Sequence, residues 1–252
     1  MTRIRRSIGQ TFLILCCLLL GSGALWAQGP SHLAIMIGND RYAHLPDLPN
    51  VTRDLPALSK SLRARGYRTV ELRNLDRRNL LTALARLRLV AQDASQVIVY
   101  FGGHGAEVAG NMHLFTPEAR PEAEVWRAGT IPLELILRAF SDQPRQKLVL
   151  IDACRDNPLY DLDLPTTRPA ILPGGTLLAY AAQPGSAAYD GVGGHSPFAA
   201  ALISSLLGSE TDLYDILRHV RLTVVTETGG QQIPWTRSSL FRRAELLSGL
   251  QN

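Results

Sequence analysis

Residues 147–158 read K-L-V-L-I-D-A-C-R-D-N-P. The Leu, Val and Ile run has the form of a short strand buried on both faces. It stops at Asp152, so the thiol of Cys154 and the charged Arg155 and Asp156 stand where the strand ends. In an open parallel sheet the C-terminal strand ends form the ligand crevice, which places Cys154 for chemistry.

Similar runs recur on both sides of this stretch. Residues 33–37 (L-A-I-M-I) read as a first strand ended by Gly38, Asn39 and Asp40, and residues 67–72 as a second. Residues 97–101 (V-I-V-Y-F) form a third, ended by Gly102-Gly103-His104-Gly105, and residues 176–181 a fifth. A short strand near residues 240–246 is expected to close the sheet. A helix is expected from near Asp54, with Pro56 in its first turn, to Gly66. Asp76 is suited to cap the next helix, whose Leu80, Leu81, Leu84, Leu87 and Val90 keep helical spacing. A polar stretch with Glu118, Glu122 and Glu124 leads to a helix over residues 132–140, and two more are expected near residues 198–207 and 213–226. Strands alternating with helices predict one α/β domain, a mostly parallel sheet of about six strands flanked by helices. There is no internal repeat and no low-complexity segment.

With 252 residues, 46% of them apolar and 19% charged, the chain can bury one sizeable core. Its first stretch stands apart. Arg3, Arg5 and Arg6 precede an apolar run over residues 12–20, followed by small residues at 21–24 and 27. That order predicts a secretory signal peptide over residues 1–27, with an uncleaved anchor as the alternative; the run is short for a bilayer span, which favours cleavage. The expectation is an exported protein, periplasmic or secreted, with its domain over residues 31–248. Cys16 and Cys17 then leave with the leader, and Cys154 alone remains, unable to form an internal disulfide. Three leader arginines account for most of the +4 charge, so no basic stripe suits nucleic acid. No membrane contact is expected beyond the leader, and the oligomeric state is left open.

His104 and Cys154 each follow an apolar strand directly. If those strands are parallel neighbours, imidazole and thiol face one crevice, where the His can take the proton of a nucleophilic Cys. The N–H groups of Gly105 and Cys154 are placed to bind an oxyanion. His32, His44, His113 and His219 read as ordinary polar residues. His195, in the Gly-rich turn over residues 191–196, is the rival base and reads as part of a cleft rim. One cysteine without paired ligand spacing argues against a zinc site, and no metal residues are assigned.

At these residues the chain resembles the caspase and metacaspase family of cysteine peptidases. His104-Gly105 and Asp152-Ala153-Cys154-Arg155 keep the family's order and separation. The likeness extends to Gly38-Asn39-Asp40 with Tyr42, to Tyr100-Phe101 before the histidine motif, and to Ser196-Pro197-Phe198. Asp152-Ala153-Cys154-Arg155-Asp156-Asn157-Pro158 is most similar to the bacterial metacaspase-like branch. The resemblance implies a caspase-like three-layer sandwich and a cysteine endopeptidase, with Cys154 the nucleophile, His104 the general base and acid, and a peptide or protein as substrate. It also implies that Asp152 and Asp54 line a pocket for Arg or Lys before the cut. Caspases proper select aspartate with arginines, and no Arg stands near Leu48. For Asp54 a helix-capping role is the competing reading.

The stretch after Cys154 corresponds to the segment that some relatives cut to mature. Its basic residues are Arg155 and Arg168, and Pro169 follows Arg168, which predicts activity as a single uncut chain. Asp161 and Asp163 match acids that bind calcium in some metacaspases, but no partner acids line up cleanly over residues 118–124. A solvated loop with no required cofactor is therefore expected, and calcium activation is the alternative. The rival functions are a noncatalytic caspase-like module that binds peptides or partners, and a thiol hydrolase or transferase acting on small acyl groups.

Overall fold

Strand β1 (His32–Gly38) is buried at every position after its first, the pattern of a strand covered on both faces. In this computed structural model, which describes residues 31–120, 122, 126–142, 146–156 and 171–248, β1 leads to α1 (Val51–Ala64), β2 (Arg68–Arg73), α2 (Arg77–Val90) and β3 (Gln96–Gly102). Next come β4 (Gly105–Val108), β5 (Asn111–Phe115) and β6 (Thr130–Pro132), then α3 (Leu133–Ala139) and β7 (Gln146–Asp152). β8 (Thr176–Tyr180), α4 (Pro197–Leu207), α5 (Leu213–Glu227) and β9 (Trp235–Ser238) complete the order. The leader at residues 1–27, Asp161 and Asp163, the Arg168-Pro169 pair and Glu124 lie outside the described residues.

One sheet runs β2-β1-β3-β7-β8-β9, parallel throughout except for β9. Because successive strand residues face opposite ways, each strand feeds two cores. Ala34, Met36, Ile98, Tyr100, Leu148 and Leu150 pack under α1, α4 and α5. Leu33, Ile35, Val97, Val99, Val149 and Ile151 pack under α2 and α3. The result is the expected three-layer caspase-like sandwich.

Several local expectations need correction. The polar stretch after His104 folds as a second, antiparallel sheet, β4-β5-β6. Its hairpin turns at Ala109 and Gly110, both at positive φ (52° and 79°), joining Val108 to Asn111. The closing strand is β9, not residues 240–246. There Glu245 makes only an isolated bridge to Asp212, and Leu240, Ala244 and Leu246 pack into the α4–α5 core. Helix α1 starts before Asp54, with Asn50 in the N-cap position, so Pro56 lies beyond the first turn. Its ring removes the donor owed to the Thr52 carbonyl, which Arg73 approaches instead at 3.4 Å. Asp76 caps α2 as expected, accepting the Asn79 N–H at 2.7 Å.

Candidate active site

The pairing of β3 with β7 sets Gly102 opposite Asp152, and the Gly103 N–H donates to the Asp152 carbonyl at 3.2 Å, one step beyond the strands. His104 and Cys154 follow these paired residues at equal remove. They leave neighbouring strand ends and line one cavity of about 120 Å³ together with Asp54, Asp152, Asp190 and Ser196. The cavity lies beside the β1–β3 boundary, where the chain order reverses across the sheet.

His104 is held from two sides by the loop after β1. Its backbone N–H donates to the Tyr42 hydroxyl at 2.8 Å, and the two rings meet edge-on with centroids 4.6 Å apart. Its Nε2 lies 2.8 Å from the Pro46 carbonyl oxygen. A carbonyl only accepts, so the proton of the neutral imidazole sits on Nε2 and the Nδ1 lone pair is the available base.

Cys154 is half-buried, and its Sγ both donates to the Ala188 carbonyl and accepts the Ala188 N–H, each at 3.3 Å. Burial pushes the thiol above its usual pKa, helped by the charges of Asp156 and Asp152; only the Ala188 N–H works the other way. The next residue, Arg155, does not face the crevice. Its buried guanidinium grips Glu107 Oε2 through Nε at 2.9 Å and Nη2 at 2.5 Å and lies 4.0 Å over the Tyr180 ring. Glu107 belongs to the strand that follows His104, so this pair braces the thiol loop against the imidazole loop.

Backbone geometry makes donors available. Phe115 N–H bonds the His104 carbonyl, so Gly105–Leu114 is the alternate, non-bonded pair, and the Gly105 N–H points away from β5. Among the described residues β4 has no strand on its other side. The Cys154 N–H meets no backbone acceptor among the described residues. A Cβ at Gly105 would come within 2.9 Å of the Ala153 Cβ and 2.4 Å of Met112 Cε, so only glycine lets the two motifs approach this closely.

Asp54 and Asp152 are both buried. Asp152 Oδ2 accepts from the Tyr100 hydroxyl at 3.0 Å and from Ser196 Oγ at 2.5 Å. Asp54 does not cap its helix: Oδ1 is bonded to His195 Nδ1 at 2.6 Å and Oδ2 receives the Ser196 N–H at 3.4 Å. Burial pushes Asp152 up to about 7, and the charges of Asp54 and Asp190 push the same way. Burial likewise raises Asp54 to about 7, with Asp190 adding to it. Asp190 is itself raised by burial. His195, read from sequence as a rim residue, is thus a partner of Asp54. Sequence reasoning missed Asp190, which lies in a loop without periodicity, and the bridging role of Ser196. The latter's Ser-Pro pair did signal a helix start, and its Oγ accepts the Ala199 N–H at 2.9 Å. Among the described residues no group of three His, Cys, Asp or Glu side chains is arranged to hold a metal ion.

A family model described as Caspase domain matches residues 31–245. Mucosa-associated lymphoid tissue lymphoma translocation protein 1 of Homo sapiens is 23% identical over 232 residues, covering 87% of this chain but only 27% of the relative's own length. The crystal structure of Caspase-1 from Spodoptera frugiperda superposes with a TM-score of 0.70 at 19% identity, covering 89% of this chain and 94% of that one, a likeness of fold.

Proposed function

The chain belongs to the caspase domain family, whose members are cysteine peptidases, and on that footing we propose that it is a cysteine endopeptidase cutting after Arg or Lys. One observation carries the specificity: three carboxylates, Asp54, Asp152 and Asp190, line the same cavity as the thiol and the imidazole. Burial raises all three, the Asp190 charge raises Asp54 and Asp152 further, and a guanidinium or ammonium group from substrate relieves that repulsion.

In the reaction, the Nδ1 lone pair of His104 takes the Cys154 proton and the sulfur attacks the carbonyl carbon of the scissile bond. The oxygen gains the displaced electron pair and is met by the N–H groups of Gly105 and Cys154. Collapse breaks the C–N bond, the imidazolium returns its proton to the leaving amine, and a thioester remains. Water, deprotonated by His104, cleaves the thioester and regenerates the thiol. The Ala188 contact must give way for the sulfur to act. The chemistry draws on no cofactor, and the chain works uncut.

The same reading assigns residues 31–248 to the peptidase domain of an exported protein whose leader, residues 1–27, is removed; N-terminal sequencing after secretion tests this. A second reading, a noncatalytic module that binds basic peptides, is favoured by the neutral, Ala188-bound thiol. Fluorogenic Arg, Lys and Asp peptides, assayed under reducing conditions with calcium or chelator, separate the two. The expected result is turnover of Arg and Lys peptides by the wild type, none by Cys154→Ala, and an unsplit chain throughout. Absence of Cys154-dependent turnover on every peptide leaves the binding module.

A further inference from the structure

The sheet end opposite the catalytic cavity collects features that proteolysis does not use. α1, α2 and α4 run back from the cavity end, so their last turns lie beside the starts of the parallel strands. Arg65, just before β2, holds the Leu206 and Gly208 carbonyls at the end of α4, each at 2.7 Å. His32, first in β1, meets the Tyr67 ring 5.4 Å away. At this end Leu89 is 64% exposed, Leu207 69% and Phe241 85%. Phe241 borders a groove with His32, Gln96 and Gln146, at the first positions of three strands, and with Gly175, just before β8. Isolated exposed apolar residues are ordinary. Three at one end, on separate elements spread across the sheet, suit a planar partner better than a pocket ligand.

The same end is cationic around them. Lys60, Arg63, Arg68, Arg86 and Arg88 lie toward this end on α1, β2 and α2, and Arg242 and Arg243 lie beside Phe241. Arg68, Arg86 and Arg242 are exposed and have no acidic partner among the described residues. Of the nearby acids, Asp142 pairs with Arg88 and Asp212 with Arg243, while Asp93 stays exposed and Glu245, on the groove beside Phe241, is exposed as well. Charges on β2 alone would serve to protect an edge strand, but Arg86 and Arg242 lie on other elements.

We propose that this face rests on an anionic phospholipid surface. Leu89, Leu207 and Phe241 enter the headgroup layer, and the arginines lie over lipid phosphates. Ser31 enters β1 on this face, and the catalytic cavity, at the other end of the sheet, stays open to solution. This departs from the sequence expectation of no membrane contact beyond the leader.

The test reads orientation directly. In the full chain carrying Cys16→Ser, Cys17→Ser and Cys154→Ala, an NBD fluorophore is attached at Leu89→Cys, at Phe241→Cys, or at Val192→Cys, the last beside the cavity and fully exposed (108%). Phosphatidylglycerol vesicles should shift the first two probes to the blue and expose them to quenching by brominated lipid, leaving the third unchanged. Adding Arg68→Glu and Arg86→Glu should raise the lipid concentration for half-shift by roughly 30-fold or more. The Arg68→Glu and Arg86→Glu arm separates the face from a retained leader, because contact carried by the leader alone does not depend on those arginines; an unchanged half-shift concentration overturns the proposal. Probes at 89 and 241 that stay aqueous with vesicles, or an equal response at 192, overturn the proposal. A shift that follows protein concentration without lipid overturns it too, and gives the face to a second copy of the chain.

Discussion

Asp152 is held by a phenol and a hydroxyl and pairs with no cation among the described residues, so the residue that reads as specificity also stores a folding penalty. If Asp152 receives the substrate's basic side chain, Asp152→Asn should lower kcat/KM for Arg peptides roughly 100-fold, the scale of losing one partner of a buried charge pair (~3 kcal/mol). An unchanged Arg-over-Asp preference in the variant would sink that role. The stability consequence has a definite sign. Asp54 and Asp152 titrate near 7 in the fold against a usual 3.8, so their protonated forms favour the native state. That contribution is complete below about pH 4 and is lost as pH rises through about 7. Melting temperature should therefore gain from acidification between pH 7.5 and 5.5, and gain less in Asp152→Asn; equal profiles for the two proteins would refute it. From sequence, Cys154, His104 and Asp152 were legible because each stands at the end of an apolar run. Asp190 was not, because a loop residue reaches the cavity only through folding of the chain around it.

Elements came through where their periodicity was local. β1, β3, β7 and β8 appear within a residue or two of their sequence bounds, because both faces are buried and the apolar run is unbroken. β4 and β5 stayed hidden because they are short and turn on Ala109-Gly110, without the Asn-Gly or Asp-Gly pair that marks a two-residue hairpin. Helix ends show another kind of invisibility. Arg65 reads as one more surface arginine, yet it is 4% exposed and donates to the carbonyls of Leu206, Gly208, Glu210 and Leu247. It closes the end of α4 and ties the C-terminal segment down. Replacing it with Met leaves those carbonyls unpaired at a cost of about 3 kcal/mol. Scanning calorimetry should register a drop of about 6–12 °C. Arg65→Lys should recover only part, since an ammonium cannot span four acceptors as the planar fork does; a Met variant that melts with the wild type would show the contacts to be ornamental.

Across the whole molecule, the layered architecture followed from alternating apolar and amphipathic segments, whereas the state of the nucleophile did not, because it depends on a loop 34 residues downstream. Burial keeps the sulfur protonated, and the loop engages it through Ala188 while His104 is tethered to Pro46. Iodoacetamide should therefore alkylate Cys154 slowly in the free protein, and a short peptide aldehyde bearing arginine should compete for the site far better than one bearing alanine. Equal potency of the two aldehydes would argue against coupling between the acidic pocket and release of the thiol. The Ala188 clasp thus acts as a safety catch: a small electrophile drifting past finds little to react with. If the acidic cavity takes a basic side chain as proposed, a selective inhibitor carries a positive charge beside its warhead.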